Sequence, residues 1–377
     1  MPLFGCQPER LTVKQFVERR ERNGFRYPSQ PVVLTDFTLG WKLFSSGCTF
    51  PGYLLQLERT HKCFSFEYGL AEGKVAAMMS KDDRNFLDNE EFVSKVPVAL
   101  SALLDRIART LALPATASAF KTVIQQPVSE GTKGKEKGAL SLQEEAEEED
   151  VDEWDEAEDD GEEVESLTGE TAYKRLYWRS KIPAALFQDI QPFHEEEFLR
   201  SPSSSTTTDT SSSSSRRFRQ DLMRMWVSTE GCVTPLHYDR CHGLLVQVEG
   251  LKQVTLFSPE ETRNVYPNSA LHPSAHASRL RLHALLFEGD ANESLSKKGK
   301  ELDYPAKFPR FYERFLQDEA RDATDERTAF NVMLSPGEVL YTPPGWWHHV
   351  TTMQQGSVSI TIPWDMLSSE TVPVNMR

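Results

Sequence analysis

From Asp221 to the end, the chain is built from short β-branched and aromatic runs separated by turn residues. They read DLMRMWVSTE, GLLVQVEG, LKQVTLFSP, GEVLYTPP and SVSITIPW, punctuated by Glu249-Gly250, Ser258-Pro259 and Pro336-Gly337. They predict a sandwich or barrel. Further forward, QPVVLTDF (Gln30–Phe37) reads as a strand, and Leu100, Leu103, Leu104, Ile107 and Leu111 fall at the spacing of an amphipathic helix.

Two stretches cannot join a core. From about Pro114 to Gly169 the chain is Gly/Lys-rich and then acidic, with too few apolar side chains to offset chain entropy. Residues 144–165 hold 16 of the 57 acids and no base, leaving 41 acids against 42 bases elsewhere. The net charge of −15 therefore describes one segment and says little about partners of the rest. Ser201–Arg219 is a second low-complexity run, expected as a flexible loop. The expected organisation is an N-terminal α/β portion (1–113), a disordered acidic insert (114–169) and a β-rich unit (170–377). Five scattered cysteines without a CxxC pair argue against a disulfide framework. The charged N-terminal stretch is unlike a signal peptide, and no apolar run is long enough to span a bilayer. A cytosolic or nuclear protein is expected.

Within TPLHYDRCHGLLVQVEGLK (Thr234–Lys252), His237 and Asp239 sit one residue apart. On a strand they share a face while Tyr238 takes the other. One imidazole and one carboxylate make two corners of a 2-His-1-carboxylate site, the arrangement of non-haem Fe(II) oxygenases, whose open positions admit substrate and oxygen. GEVLYTPPGWWHHV offers His348 and His349 as the third corner, and alternation lets only one reach it. An isolated HxD is often an accident of sequence, and Lys252 adds a second signal. It shares a strand face with Val254 and Leu256, where a buried ammonium needs a partner that no nearby acid on that face supplies. A bound dicarboxylate would supply one. Read alone, Lys252 could instead snorkel from a strand edge.

HxD, the lysine thirteen residues after its aspartate, and PGEVLYTPPGWWHHV together resemble the JmjC (cupin-like) Fe(II)/2-oxoglutarate oxygenases, in particular their small hydroxylase branch of asparaginyl and tRNA wybutosine hydroxylases. The resemblance covers Gly231–Asn268 and Asn331–Trp364 most strongly, and more weakly Gln30–Trp41, Tyr173–Ser180 and Asp303–Phe311. It implies a mainly β fold with some α, a double-stranded β-helix (jelly-roll, cupin-like) core carrying the N-terminal α/β portion. It implies Fe(II) on His237, Asp239 and His348, with 2-oxoglutarate and O2 as cosubstrates. Lys252, Thr234 and Tyr177 fall on positions that meet the far carboxylate of 2-oxoglutarate, and Trp226 on a pocket wall. Gly243 stands where the family commonly has an asparagine, and Thr361 is the nearest equivalent of a second one. The substrate implied is a protein side chain or a modified tRNA base, with hydroxylation or demethylation as the outcome. A catalytically silent binding protein is the alternative from another class. The chain ends soon after Trp364, without the dimerising helices of the asparaginyl hydroxylases, so a monomer is expected. His272 and His276, four apart in LHPSAH, are read as the start of a helix and not as a second metal site. Cys241 is read as packing.

Overall fold

A computed structural model of the chain describes residues 6–24, 26–45, 49–62, 64, 73–80, 93–112, 175–199, 218–282, 304–317, 328–368 and 370–377. The acidic insert and most of the Ser-rich run lie outside them. Residues 1–116 and 174–377 form one compact unit. Among the described residues the strands are β1 (Glu9–Leu11), β2 (Val32–Leu34), β3 (Lys74–Ser80), β4 (Val93–Ala99), β5 (Tyr177–Lys181) and β6 (Arg224–Ser228), then β7 (Val233–Tyr238), β8 (His242–Phe257), β9 (Ala329–Leu334), β10 (Val339–Thr342) and β11 (Trp347–Trp364). The longer helices are α1 (Val13–Arg22), α3 (Phe50–His61) and α4 (Leu100–Ala112), with a short α2 (Lys42–Ser45).

The eleven strands run β1-β2-β10-β8-β11-β6-β5-β3-β4, with β7 also on β11 and β9 also on β8. All pairings but β1 with β2 are antiparallel. This is the double-stranded β-helix the sequence led us to expect, and β2 and β3 of the N-terminal portion extend the same sheet.

The long strands β8 and β11 each serve both walls of the barrel. Glu249-Gly250, read from sequence as a turn between two strands, is a bend inside β8. Gly250 has φ 72°, and a Cβ there would lie 2.0 Å from the Gly356 carbonyl oxygen on β11, so the two backbones meet where only glycine fits. The β8–β11 register shifts at this point. Before the bend, β8 pairs with β10 and the end of β11; after it, with β9 and the start of β11.

Strand alternation then separates core from cavity. Leu244, Val246 and Val248 of β8, Met225 and Val227 of β6, and Val358, Ile360 and Ile362 of β11 enter a core shared with Phe16 of α1, Leu54 of α3 and Leu104 of α4. Each such side chain contributes roughly 1.5–3 kcal/mol of burial. Helix α4 forms as its periodicity predicts, with Leu100, Leu103, Leu104 and Ile107 buried. Helix α1 starts at a capping box in which Thr12 Oγ1 accepts from Gln15 N–H and the Gln15 side chain accepts from Thr12 N–H. The opposite faces of β5, β6 and β11 line the inside of the barrel.

Candidate metal and cosubstrate site

His237 lies near the end of β7 and His348 on the second residue of β11, directly opposite each other in register. Their ring centroids are 4.2 Å apart. Asp239 does not lie on the strand, as strict alternation would have it. β7 ends at Tyr238, and Asp239 occupies the loop beyond, its side chain 60% exposed. The backbone ties it back, because Gly345 N–H donates to the Asp239 carbonyl at 2.9 Å, joining this loop to the Pro-Pro-Gly turn that precedes His348. Asp239 Oδ2 is 3.8 Å from His348 Nε2, and one ligand atom from each of the three residues lies within 4.8 Å of the others. Among the described residues this is the one such cluster.

Local sequence explains the aim of these side chains. Trp346 donates to the Ser29 carbonyl and Trp347 to Thr262 Oγ1, at 2.9 and 3.0 Å, and Tyr238 packs edge-on against Trp347. These anchors fix the start of β11, so that His348 faces the cavity and His349, paired with Thr255, is buried outside it. Nδ1 of His237 is 2.8 Å from the Pro235 carbonyl and Nδ1 of His348 is 3.0 Å from that of Trp346. A carbonyl can only accept, so both rings carry the proton on Nδ1 and leave Nε2 with a free lone pair. Burial, with His348 close by, lowers the pKa of His237 and keeps it neutral. Two neutral imidazoles oriented by backbone carbonyls and one carboxylate form a donor set suited to a divalent first-row metal.

A cavity of about 850 Å³ opens beside the triad, lined by Tyr177, Thr234, Gly243, Lys252 and Thr361 together with the three candidate ligands. Lys252 is 2% exposed, and its Nζ donates to Ser359 Oγ at 2.6 Å. Among the described residues no carboxylate pairs with it, and burial pulls its pKa down from 10.5 to about 7. The Tyr177 ring lies 5.8 Å from Nζ, and the Tyr177 hydroxyl meets Thr234 Oγ1 at 3.2 Å. A buried ammonium and two hydroxyls thus share one end of the cavity, and the triad shares the other. Trp226 stacks on Tyr177 and donates from Nε1 to Thr361 Oγ1 at 3.2 Å, which fixes the wall where Thr361 sits. At Gly243 an added Cβ would meet nothing within 4 Å.

Every site residue expected from the sequence lines this one cavity. Sequence reasoning missed Ser359, the acceptor for Lys252. The signal was its place two residues before Thr361 on the same strand face. It also missed Arg179 and Arg224, which line the cavity on the same strand faces as Tyr177 and Trp226. His276, read as a helix residue, lies on the cavity wall 6.3 Å from His237, in no regular helix, and burial lowers its pKa. His272 points elsewhere, its Nδ1 accepting from Ser274 N–H. Among the described residues no helix is long and apolar enough to cross a membrane.

Comparison with known proteins agrees with this geometry. The chain is similar to Jumonji C domain-containing protein 5 of Drosophila melanogaster, 29% identical over 143 residues, which cover 38% of this chain and 27% of that protein. It is similar to lysine-specific demethylase 8 of Xenopus tropicalis, 27% identical over 139 residues, covering 37% of this chain and 24% of that one. The matches thus span about a quarter of the length of these relatives. Among solved structures, the Escherichia coli ribosomal oxygenase YcfD aligns over 39% of this chain and 24% of its own at 11% identity, with a TM-score of 0.19, too low to bear on the fold. The family described as the cupin-like domain matches residues 19–370. A double-stranded β-helix with a His-Asp-His cluster inside it, matched over almost its whole length, makes this chain a member of the cupin-like domain family.

Proposed function

We propose that the protein is an Fe(II)- and 2-oxoglutarate-dependent oxygenase that hydroxylates a protein side chain. The observation that carries this reading is the pairing, in one cavity, of the His237-Asp239-His348 cluster with a buried ammonium that no carboxylate among the described residues neutralises. Bound iron with 2-oxoglutarate and O2 supplies oxidative decarboxylation to succinate and CO2, coupled to insertion of one oxygen atom into a substrate C–H bond.

The chain's own residues bind and orient. His237 and His348 present Nε2 and Asp239 a carboxylate oxygen, which leaves open positions for the 2-oxo acid end of the cosubstrate. Lys252 would meet its far carboxylate, with the Thr234 and Tyr177 hydroxyls donating to the same group and Thr361 closing the side wall. That pairing would restore the charge that burial now disfavours on Lys252. The relative named a lysine-specific demethylase raises demethylation as an outcome of the same site, since a hydroxymethyl on nitrogen collapses to formaldehyde.

The test uses the full chain with Fe(II), ascorbate and 2-oxoglutarate. Succinate should form, and His237→Ala should lose both succinate formation and Mn(II) binding. If the wild type neither binds 2-oxoglutarate nor turns it over with protein fractions present, the oxygenase reading fails. Protein and tRNA fractions from cells lacking the enzyme should then be offered as substrates. Gain of one oxygen mass on protein supports the side-chain reading, and gain on tRNA overturns it.

A further inference from the structure

Resting on the metal-binding reading above, we infer that Asn375 is a positioning residue for the metal site, and that the segment Pro373–Met376 straps together the two stretches that carry its ligands. Among the described residues no hydrogen bond holds the Asp239 carboxylate, which is 60% exposed, so its aim depends on its backbone. That backbone is anchored at its carbonyl, which accepts from Gly345 N–H at 2.9 Å. Gly345 is held in turn from its other side, where Asn375 Nδ2 donates to the Gly345 carbonyl at 2.8 Å. The Asn375 carbonyl accepts from the Tyr238 hydroxyl at 3.0 Å, and Tyr238 stands between His237 and Asp239 in the chain. One residue thus bridges the end of β7 and the turn that precedes His348.

Packing makes the bridge close. Gly345 has φ 78°, and a Cβ on it would lie 2.7 Å from Pro373 Cβ and 2.8 Å from Asn375 Oδ1, so the segment rests directly on the glycine. A 3-10 turn over Val374–Met376 stiffens it, with Met376 N–H donating to the Pro373 carbonyl at 3.1 Å. Met376 packs against the cluster that contains Tyr238 and Trp347. The Asn375 amide has one workable orientation, because the reverse would set two acceptor oxygens against each other. Its Oδ1 is buried without a partner, so the position uses the donor and leaves the acceptor idle. Burial separates this role from general support of the fold. No residue from Thr371 to Arg377 is fully buried, and Val372 and Val374 are 44% and 53% exposed. The segment therefore adds little to the core, while its polar contacts fall on the residue between two ligands and on the anchor of Asp239. A loosely held ligand must be ordered when metal binds, and that lost entropy is subtracted from affinity. The strap orders it in advance.

The test titrates Mn(II) into the full chain, followed by calorimetry and by electron paramagnetic resonance. Asn375→Leu keeps the side-chain bulk, adds no charge and removes the donor. It should bind Mn(II) about tenfold more weakly, with an altered zero-field splitting of the bound ion and a Tm within about 2 °C of wild type. A residue that only supported the fold would lower Tm and leave the spectrum of the bound ion unchanged. Any Mn(II) taken up by the acidic run 144–165 is common to all variants, and the His237→Ala protein gives that background. Linkage supplies a second measurement that needs no strap variant, should Asn375→Leu not fold. In the wild-type chain, saturating Mn(II) should slow amide exchange of Val374–Arg377 about tenfold, and by a larger factor than in α1. The inference is overturned if the folded variant binds Mn(II) within about twofold of wild type, or if its affinity falls only in step with Tm. It is also overturned if exchange of the segment ignores the metal. A wild type that takes up no more Mn(II) than His237→Ala sinks the metal reading and this inference with it, whereas equal binding by wild type and Asn375→Leu sinks only this inference.

Discussion

Replacing Lys252 with methionine should stabilise the unliganded protein while removing its response to 2-oxoglutarate. Burial lowers the pKa of this lysine from 10.5 to about 7. At about 1.4 kcal/mol per unit, holding the ammonium inside costs about 5 kcal/mol at or below pH 7. Methionine fills most of the same volume and carries no charge. It leaves Ser359 Oγ without its donor, and a buried hydroxyl left unpaired costs about 1–3 kcal/mol. The net gain at pH 7 is therefore about 2–4 kcal/mol. The sign with pH follows from proton counts. Between the folded pKa near 7 and the unfolded value of 10.5, the unfolded chain holds a proton that the folded chain lacks. Wild-type stability therefore rises with pH across that window, by about 1.4 kcal/mol per unit, and the variant has no such slope. The gap between the two should close by about pH 9. Urea unfolding at pH 7 and pH 9 measures this directly. With Mn(II) present throughout, adding 2-oxoglutarate at a hundred times the wild-type Kd should add about 2.7 kcal/mol to the wild type and little to the variant. A variant less stable than wild type at pH 7, or a gap that ignores pH, would refute the reasoning, because Ser359 and Tyr177 would then satisfy the ammonium without a ligand.

Three further outcomes are expected. Gly243→Asn places an amide in the open space beside the cosubstrate and should tighten 2-oxoglutarate binding by about two- to tenfold in calorimetry; weaker binding would show that the space serves another group. Gly250→Ala forces a Cβ to within 2.0 Å of the Gly356 carbonyl at a positive φ, and should destabilise the fold by about 3 kcal/mol or more in urea; a loss below about 1 kcal/mol would mean that the two strands part easily. Tyr177→Phe removes the hydroxyl that meets Thr234 and should weaken 2-oxoglutarate binding about tenfold at nearly unchanged stability; an unaltered Kd would free Tyr177 from any binding role.

Much of this molecule was legible in one dimension. His237, His348 and Lys252 stand out because strand alternation exposes a polar residue on a face that ought to be apolar. Helix α4 follows from its spacing, and β2, β6 and β10 from β-branched runs between turn residues. Those are local signals, and local rules read them. The continuity of β8 through Gly250 was not legible, because a glycine that ends a strand and one that lets two strands touch look the same in sequence. Asp239 was found for a partly wrong reason. Its residue type and spacing were informative, but it reaches the triad from a loop tied to Gly345 more than a hundred residues away.

The sequence by itself determined the chemistry on offer: which residues could bind metal, and which cation would need a partner if it were buried. Only the tertiary structure decided which of these meet. The pairing of β7 with β11 brings His237 to His348, and the packing of β5 and β6 against β11 puts Tyr177, Arg179 and Arg224 on the wall of the same cavity. Ser359 became the partner of Lys252 only through the β8–β11 bend. Alternation fixes the face on which a side chain lies, but register between distant strands fixes its neighbours, and register is a property of the closed barrel.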